Sequence, residues 1–319
     1  MDPNSLFPQK IDQQRALVMK HIVIIPARDE EDNIETTVRS LLHQYRKPHR
    51  VYVVDDGSSD RTPDIVEGIA AEDPTVVLLR NPDRGYRKMG GGVVDVFHFG
   101  YDQCKHEEFT YISKIDSDLT FPPEYFSTLL AYMDENPNCA AGSGLIYDLI
   151  GSSRERLRFP SGGVPGPVKT IRKSVFDEIG GFQRTLGWDV IDTVHMRSLG
   201  YETVTLTSIE VTHRRQHGSA EGIYRGKATW GKGAWAIGSH PLFIAGRGVY
   251  RMLEPPYVTG GFAFWYGYIR AALQGYPQIP NKDIIRALRK EQLTRLLNGN
   301  KIPRGKAVDY PVVTQPTSG

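Results

Sequence analysis

His21-Ile22-Val23-Ile24-Ile25 is a short apolar run closed by Pro26, a pattern that predicts a buried strand. An acidic segment follows, and then Ile34, Val38, Leu41, Leu42 and Tyr45 recur at helical spacing. Acidic residues in a first turn suit the helix dipole, so a helix is expected there. Val51 to Val54 predicts a second strand, running into Asp55-Asp56-Gly57-Ser58. Thr62-Pro63 reads as an N-cap followed by proline at the first helical position. Val76 to Leu79 predicts a third strand, and Phe109 to Ile115 a fourth that runs into Asp116-Ser117-Asp118. Strands alternating with helices give an α/β fold, with a mostly parallel central sheet and helices on both faces.

Farther along, residues 160–167 read as a loop, and a helix from Lys173 to Ile179 precedes Gly180-Gly181-Phe182. Asp189 and Asp192 then stand one turn apart at the start of another helix, with Val190, Val194 and Leu199 toward the core. A strand from Glu202 to Val211 leads into Thr212-His213-Arg214-Arg215. The last third is rich in aromatics and glycine. Between Glu254 and Arg270 lie 15 uncharged residues, short of the ~20 apolar residues that a membrane span needs. Two readings stay open for it. One is a membrane interface with Trp265, Tyr266 and Tyr268 at headgroup level. The other is a helical subdomain packed on the sheet. Asn281 to Leu297 predicts a basic amphipathic helix with Ile284, Ile285, Leu288 and Leu293 inward.

Charge changes this picture more than composition does. The net charge is +2, yet 11 Lys/Arg face only 4 Asp/Glu from Gly238 onward. The rest of the chain is therefore net acidic, and the basic end suits phosphates or an anionic membrane surface. No Lys/Arg run or known motif points to nucleic acid. Cys104 and Cys139 fit neither a disulfide scaffold nor a zinc spacing, so a reducing, cytoplasmic setting is expected. The first 20 residues lack an apolar signal-peptide core.

In an open α/β sheet, ligands bind at the carboxyl ends of the strands. Three predicted strands end there in polar clusters: Pro26-Ala27-Arg28-Asp29-Glu30, Asp55-Asp56-Gly57-Ser58 and Asp116-Ser117-Asp118. The Asp-x-Asp carboxylates are hard oxygen ligands suited to Mg²⁺ or Mn²⁺, which can clamp a diphosphate leaving group. Arg84 to Gly92 is basic and glycine-rich, which permits close backbone approach to a phosphate. It is neither a dinucleotide fingerprint nor a Walker loop. His213 is open to a ligand role or a structural one.

Together, Ile25-Pro26-Ala27-Arg28-Asp29-Glu30, Val53-Val54-Asp55-Asp56-Gly57-Ser58, Asp116-Ser117-Asp118, Gly180-Gly181-Phe182 and Trp188-Asp189 resemble glycosyltransferase family 2, in that order, over about residues 22–215. The resemblance implies a Rossmann-like GT-A domain at 21–218. Residues 21–118 would form the nucleotide-binding half and 119–218 the acceptor half. A flexible leader (1–20), a helical extension (219–298) and a flexible tail (299–319) complete the division. It also implies site roles. Pro26, Ala27, Arg28, Glu30 and Asp56 would line the nucleoside pocket, with Arg84 and Lys88 near the nucleotide. Asp116 and Ser117 would face the donor. Asp118 would be the principal ligand of Mn²⁺ or Mg²⁺, assisted by Asp116 and His213. Asp189 matches the second acid of the family's Glu-Asp pair and would be the base, with Asp192 as fallback; Trp188 stands where the Glu is usual. The Gln-x-x-Arg-Trp motif of processive members is absent, which favours transfer of a single sugar. The expected partners are a UDP- or GDP-sugar donor and a glycan or lipid-linked acceptor. The expected location is cytoplasmic, with peripheral contact at the inner face of a membrane. Two rivals are weighed against this. A nucleotidyltransferase would carry a glycine-rich basic loop after the first strand, where this chain reads Pro26 to Asp32 without glycine. A non-catalytic nucleotide-sugar-binding or scaffold protein is kept open by Trp188.

Overall fold

The computed structural model describes residues 19–82, 91–150, 153–157, 159–160, 162–214, 223–299 and 302–314. In its first half β1 (His21–Ala27), α1 (Ile34–Leu42), β2 (Arg50–Asp55), α2 (Thr62–Glu72), β3 (Val76–Arg80), α3 (Gly91–Cys104) and β4 (Tyr111–Ile115) alternate. β1 pairs in parallel with β2 and β4, and β2 pairs in parallel with β3. β1 runs two residues past its apolar stretch: Pro26 stays in register with Val54, because proline's fixed φ is compatible with an extended chain. Side chains of β1 divide by parity. Val23 and Ile25 join Val38 and Leu41 of α1 and Val66 of α2 on one face. Ile22 and Ile24 meet Val94 and Phe97 of α3 on the other. Burial on both faces is the reason the strand reads as a continuous apolar run.

The chain continues through β5 (Leu119–Thr120), α4 (Tyr125–Glu135), β6 (Cys139–Ile150), β7 (Ser153–Arg156), β8 (Val168–Arg172), α5 (Lys173–Glu178), α6 (Trp188–Ser198) and β9 (Glu202–His213). It ends with α7 (Ile223–Ala236), α8 (Pro241–Arg251), α9 (Thr259–Leu273), α10 (Lys282–Leu297) and β10 (Gly305–Val308). The sheet order is β10-β9-β6-β8-β4-β1-β2-β3, with β5 on β9 and β7 on β6. β8 is antiparallel to both β4 and β6, and β9 is parallel to β6. So β6 and β9 point the same way as β4, and their carboxyl ends share the edge reached by β1 and β2. That edge carries the site.

Some local expectations change. Val190 (39% exposed) of α6 and Leu199 (47% exposed) just past its end face outward, while Trp188, Ile191 and Val194 turn in. The buried Trp188 and Ile191 set the inward face, which leaves Val190 between them on the solvent side. Beyond residue 299, a flexible tail was expected, yet β10 adds to β9, and Val313 exchanges hydrogen bonds with Thr128 and Ser127 of α4. The tail orders because it supplies backbone partners to an otherwise open strand edge.

The four carboxyl-proximal helices form a packed subdomain, and none of the described helices is long and apolar enough to cross a membrane. α7 and α9 touch backbone to backbone. A Cβ on Gly267 would lie 1.9 Å from the Ala228 carbonyl oxygen, and one on Gly231 2.0 Å from that of Phe264. α10 is capped by Asn281, whose side chain accepts from the Asp283 and Ile284 amides. Its Ile284, Ile285 and Leu288 pack on Ile191 and Val194 of α6. Arg197 of α6 binds Glu291 with two hydrogen bonds, of 2.6 and 3.0 Å. Of the three aromatics expected at a membrane interface, two turn inward: Trp265 donates to the Ile244 carbonyl and Tyr268 to that of Ser239. Buried ring N–H and O–H groups need such acceptors. Tyr266 remains exposed, on a face with Phe262, Ile269 and Leu273.

Candidate functional site

At the ends of β1 and β2 the first two polar clusters meet. Arg28 donates to the Asp56 carbonyl oxygen at 2.7 Å. The buried Asp56 carboxylate accepts from the Asn81 side-chain amide at 2.8 Å. Glu30 is buried too; its amide donates to Thr62 Oγ1, and its carbonyl accepts from the Asn33 and Ile34 amides that open α1. Gly57 has φ of 78°, which glycine adopts readily, and this lets Ser58 N turn back onto the Asp55 carboxylate at 3.2 Å. Arg28 and Asp56 thus meet where β1 and β2 end; Pro26 and Ala27 close β1, with the Ala27 carbonyl accepting from the Asp56 amide, and Glu30 lies buried just ahead of α1. Arg84 and Lys88 lie outside the described residues.

At the end of β4, Asp116 pairs with the Lys114 ammonium, and its amide donates to the Pro167 carbonyl. Ser117 is buried and its carbonyl accepts from Thr37 Oγ1 at 2.8 Å. Asp118 lies 3.2 Å from His213 Nε2, because β5 lies antiparallel on β9 with Leu119 opposite His213. The other ring nitrogen, His213 Nδ1, lies 2.9 Å from Asp148. Burial alone would lower the His213 pKa. Hydrogen bonds that His213 donates to Asp118 and Asp148, with the charge of Asp118 and Asp116, outweigh it and raise the pKa to about 10. Asp148 escaped the reading of the sequence. Its signal was nevertheless there: Leu145-Ile146-Tyr147-Asp148 is apolar chain ending in an acid, as in β2 and β4.

Among the described residues, no three His, Cys, Asp or Glu side chains converge to hold an ion. They form a line of contacts instead, Asp118 to His213 to Asp148. Carboxylate oxygen and imidazole nitrogen are donor types that a divalent cation takes once the histidine gives up its proton; here each ring nitrogen of His213 faces a carboxylate, at 3.2 and 2.9 Å.

The two candidate bases differ sharply. Asp189 is half-buried and lines a cavity of about 740 Å³ that also reaches Asp148. Asp192 lies in the core. Its side chain and that of Lys169 are both 0% exposed, and Lys169 Nζ sits 2.7 and 2.6 Å from its two oxygens. Burial pushes the Asp192 pKa up and the Lys169 pKa down. Lys169 also donates to the Asp189 carbonyl at 2.7 Å, which ties down the first turn of α6. The fallback role for Asp192 is corrected on this ground: a carboxylate sealed against an ammonium does not meet a substrate hydroxyl. Lys169, like Asp148, went unmarked in the sequence. Trp188, in place of the usual acid, has the Lys114 and Lys169 ammonium groups 5.6 and 5.2 Å from its ring. A π face occupies the position beside these two cations.

The model of glycosyl transferase family 2 matches residues 22–186. A relative in Mycolicibacterium smegmatis, polyprenol monophosphomannose synthase, is 30% identical over 122 residues, which are 38% of this chain and 44% of that protein. The chain thus spans less than half of that relative's length. Among solved structures, S. aureus TarS residues 1–349 in complex with UDP-GlcNAc superposes with TM-score 0.57 at 18% identity, over 86% of this chain and 83% of the other. The mannosyltransferase PcManGT of Pyrobaculum calidifontis, in complex with GDP-Man and Mn²⁺, gives 0.52 at 15% identity, over 87% and 80%. At such identities these likenesses speak for the GT-A fold. With its matched segment covering more than half of the sequence, the chain belongs to glycosyltransferase family 2.

Proposed function

We propose that this chain transfers one sugar from a nucleotide-diphosphate sugar to an acceptor hydroxyl, with inversion at the anomeric carbon. One observation carries the reading: the ends of β1, β2, β4, β6 and β9 gather Asp56, Asp116, Asp118, Asp148 and His213 on a single edge, and Asp189 lines the cavity beside it. Arg28, Glu30 and Asp56 would hold the nucleoside of a UDP- or GDP-sugar. Mn²⁺ or Mg²⁺ would be held by Asp118 and His213 with Asp116 nearby; when bound, the ion supplies positive charge against the diphosphate. Asp189 would take the proton of the acceptor hydroxyl. That oxygen bonds to the anomeric carbon as the bond to the diphosphate breaks on the opposite face.

The acceptor would enter the 740 Å³ cavity between α6 and the carboxyl-proximal helices. Apposition to an anionic membrane surface is supported by the exposed Phe262, Tyr266, Ile269 and Leu273 on one face of α9, beside Arg270. Flotation with anionic liposomes tests this: wild type should rise with the vesicles, and protein left in the soluble fraction would refute it.

Calorimetry of UDP and GDP, each with Mn²⁺ or EDTA, tests the donor site. One nucleotide should bind in a metal-dependent way, and Asp118→Asn should remove the metal dependence. Absence of binding by folded wild-type protein would sink the donor reading. A turnover assay then separates an enzyme from a nucleotide-sugar holder.

A further inference from the structure

The cavity that Asp189 lines is crowded with positive charge. Lys227 of α7, Arg247 and Arg251 of α8 and Arg295 of α10 all line it. All four lie beyond residues 22–186, the segment that the family match covers. Another lining cation, Arg197, is neutralised by Glu291. Glu254 is shared, 3.9 Å from Lys227 and 3.4 Å from Arg251. Aromatic rings hold the cations in place. Lys227 and Arg251 lie 4.6 and 4.4 Å from the Trp230 ring, and Arg295 lies 5.0 Å from that of Phe243. Arg251 Nε is buried and, among the described residues, meets no hydrogen-bond acceptor. A buried donor in that condition calls for an acceptor atom from a ligand or water.

Burial lowers the pKa of both Arg251 and Arg295 to about 10, and the charge of Arg247 adds to the effect in each. The cluster repels itself, so an anion placed among these groups relieves the repulsion. A carboxylate brings one negative charge and a phosphate monoester brings up to two. Arginine forks match phosphate oxygens in pairs. The cavity also has an apolar side, formed by Trp230, Phe243, Ile244 and Phe264.

We infer that Lys227, Arg247, Arg251 and Arg295 bind a phosphate group of the acceptor, in the same cavity that Asp189 lines. The inference rests on the transferase reading for the word acceptor, and it names the class: a phosphate ester, from a lipid headgroup or a soluble phosphorylated compound. The cluster would fix the acceptor by its charge while the hydroxyl to be glycosylated lies toward Asp189.

The test is calorimetric titration of the full chain with inorganic phosphate and with dodecyl phosphate below its micellar concentration, with and without UDP and Mn²⁺. Wild type should bind at least one probe, more weakly as salt rises. Arg251→Gln and Arg295→Gln should each weaken binding roughly ten-fold, the loss of a charge-assisted fork. Arg247 keeps accessible surface where it lines the cavity, and Arg247→Gln removes its charge while retaining part of its side chain, so it should weaken binding even if the other variants fold poorly. Tighter binding of dodecyl phosphate than of inorganic phosphate assigns a lipid source; equal affinity assigns a soluble one. No binding of either probe overturns the proposal, as does binding indifferent to Arg247→Gln. Displacement of the probe by UDP with Mn²⁺ also overturns it, since the cluster would then belong to the donor. If nucleotides fail to bind while the probe binds through Arg247, the donor reading falls and the anion site stands.

Discussion

Lys169 and Asp192 show what one buried pair does for a neighbouring functional residue. Removing one partner leaves the other charged and sealed in the core. Lys169→Met should therefore cost about 3–5 kcal/mol of unfolding free energy, measurable in a urea titration, while Lys169→Met with Asp192→Leu should recover most of it. Asp189→Asn should behave in the opposite manner. Its stability should stay near wild type while turnover falls roughly 10²–10⁴-fold, the usual share of a general base. Normal turnover in that variant would remove Asp189 from the mechanism. His21 carries a separate, pH-dependent prediction. It is buried against Ser113, and burial, reinforced by the Arg46 charge, lowers its pKa from 6.5 to about 3. Between those values the unfolded chain holds a proton that the folded chain refuses. Stability should thus fall as pH drops from 6.5 toward 3, by up to about 1.4 kcal/mol per pH unit. His21→Asn should show a shallower acid slope in thermal melts, and an unchanged slope would refute the assignment. None of these partnerships could be read from spacing. Asp189 and Asp192 look equivalent one turn apart, and only the arrival of Lys169 from β8 separates a cavity-facing acid from a sealed one.

Among the elements, those that the sequence made legible have their partners nearby in the chain. β1, β2 and β4 are dense in Val, Ile and Tyr, and each runs into an acidic cluster. β6 was not legible. Its start, Cys139-Ala140-Ala141-Gly142-Ser143-Gly144, has little strand propensity of its own. It is a strand because Gly142 fits under Leu129 and Val204, and Gly144 under Tyr125 and Ile209, contacts made only after folding. That hidden strand delivers Asp148. The carboxyl-proximal helices depend on glycine in the same way. Gly267→Ala places a methyl group into the Ala228 backbone, so α7 and α9 must separate. The cost should be about 1–3 kcal/mol or more, seen as a lower Tm. Nucleotide binding at the β1–β2 edge should change little. An unshifted Tm would mean that the two helices do not pack as described.

For the whole molecule, the site is divided between two regions with different histories in the sequence. The donor edge belongs to the matched family segment. The cation wall of the cavity comes from helices outside it, seated on α6 by Arg197–Glu291 and the Ile284, Ile285 and Leu288 cluster. A change at that seam should therefore reach acceptor binding before donor binding. Ile285→Ala, an uncharged change in that seam, should weaken dodecyl phosphate binding while leaving nucleotide affinity within about two-fold, since the altered contact is remote from the β1–β2 edge. Equal losses in both titrations would show that the two regions respond as one.

The pairing of β10 with β9 has a consequence in time. Lys306 meets Glu202 across an interval of 104 residues. At ~5–20 residues per second of synthesis, β9 waits roughly 5–20 s for its outer neighbour. During that interval the strand that carries His213 presents an open row of amides and carbonyls to other nascent chains. A cell making this protein quickly should lose part of it to aggregates, and slower synthesis should not remedy this, because it lengthens the wait. Fewer crowded neighbours should: lower expression, rather than a slower ribosome, is the setting in which β9 reaches its own partner first.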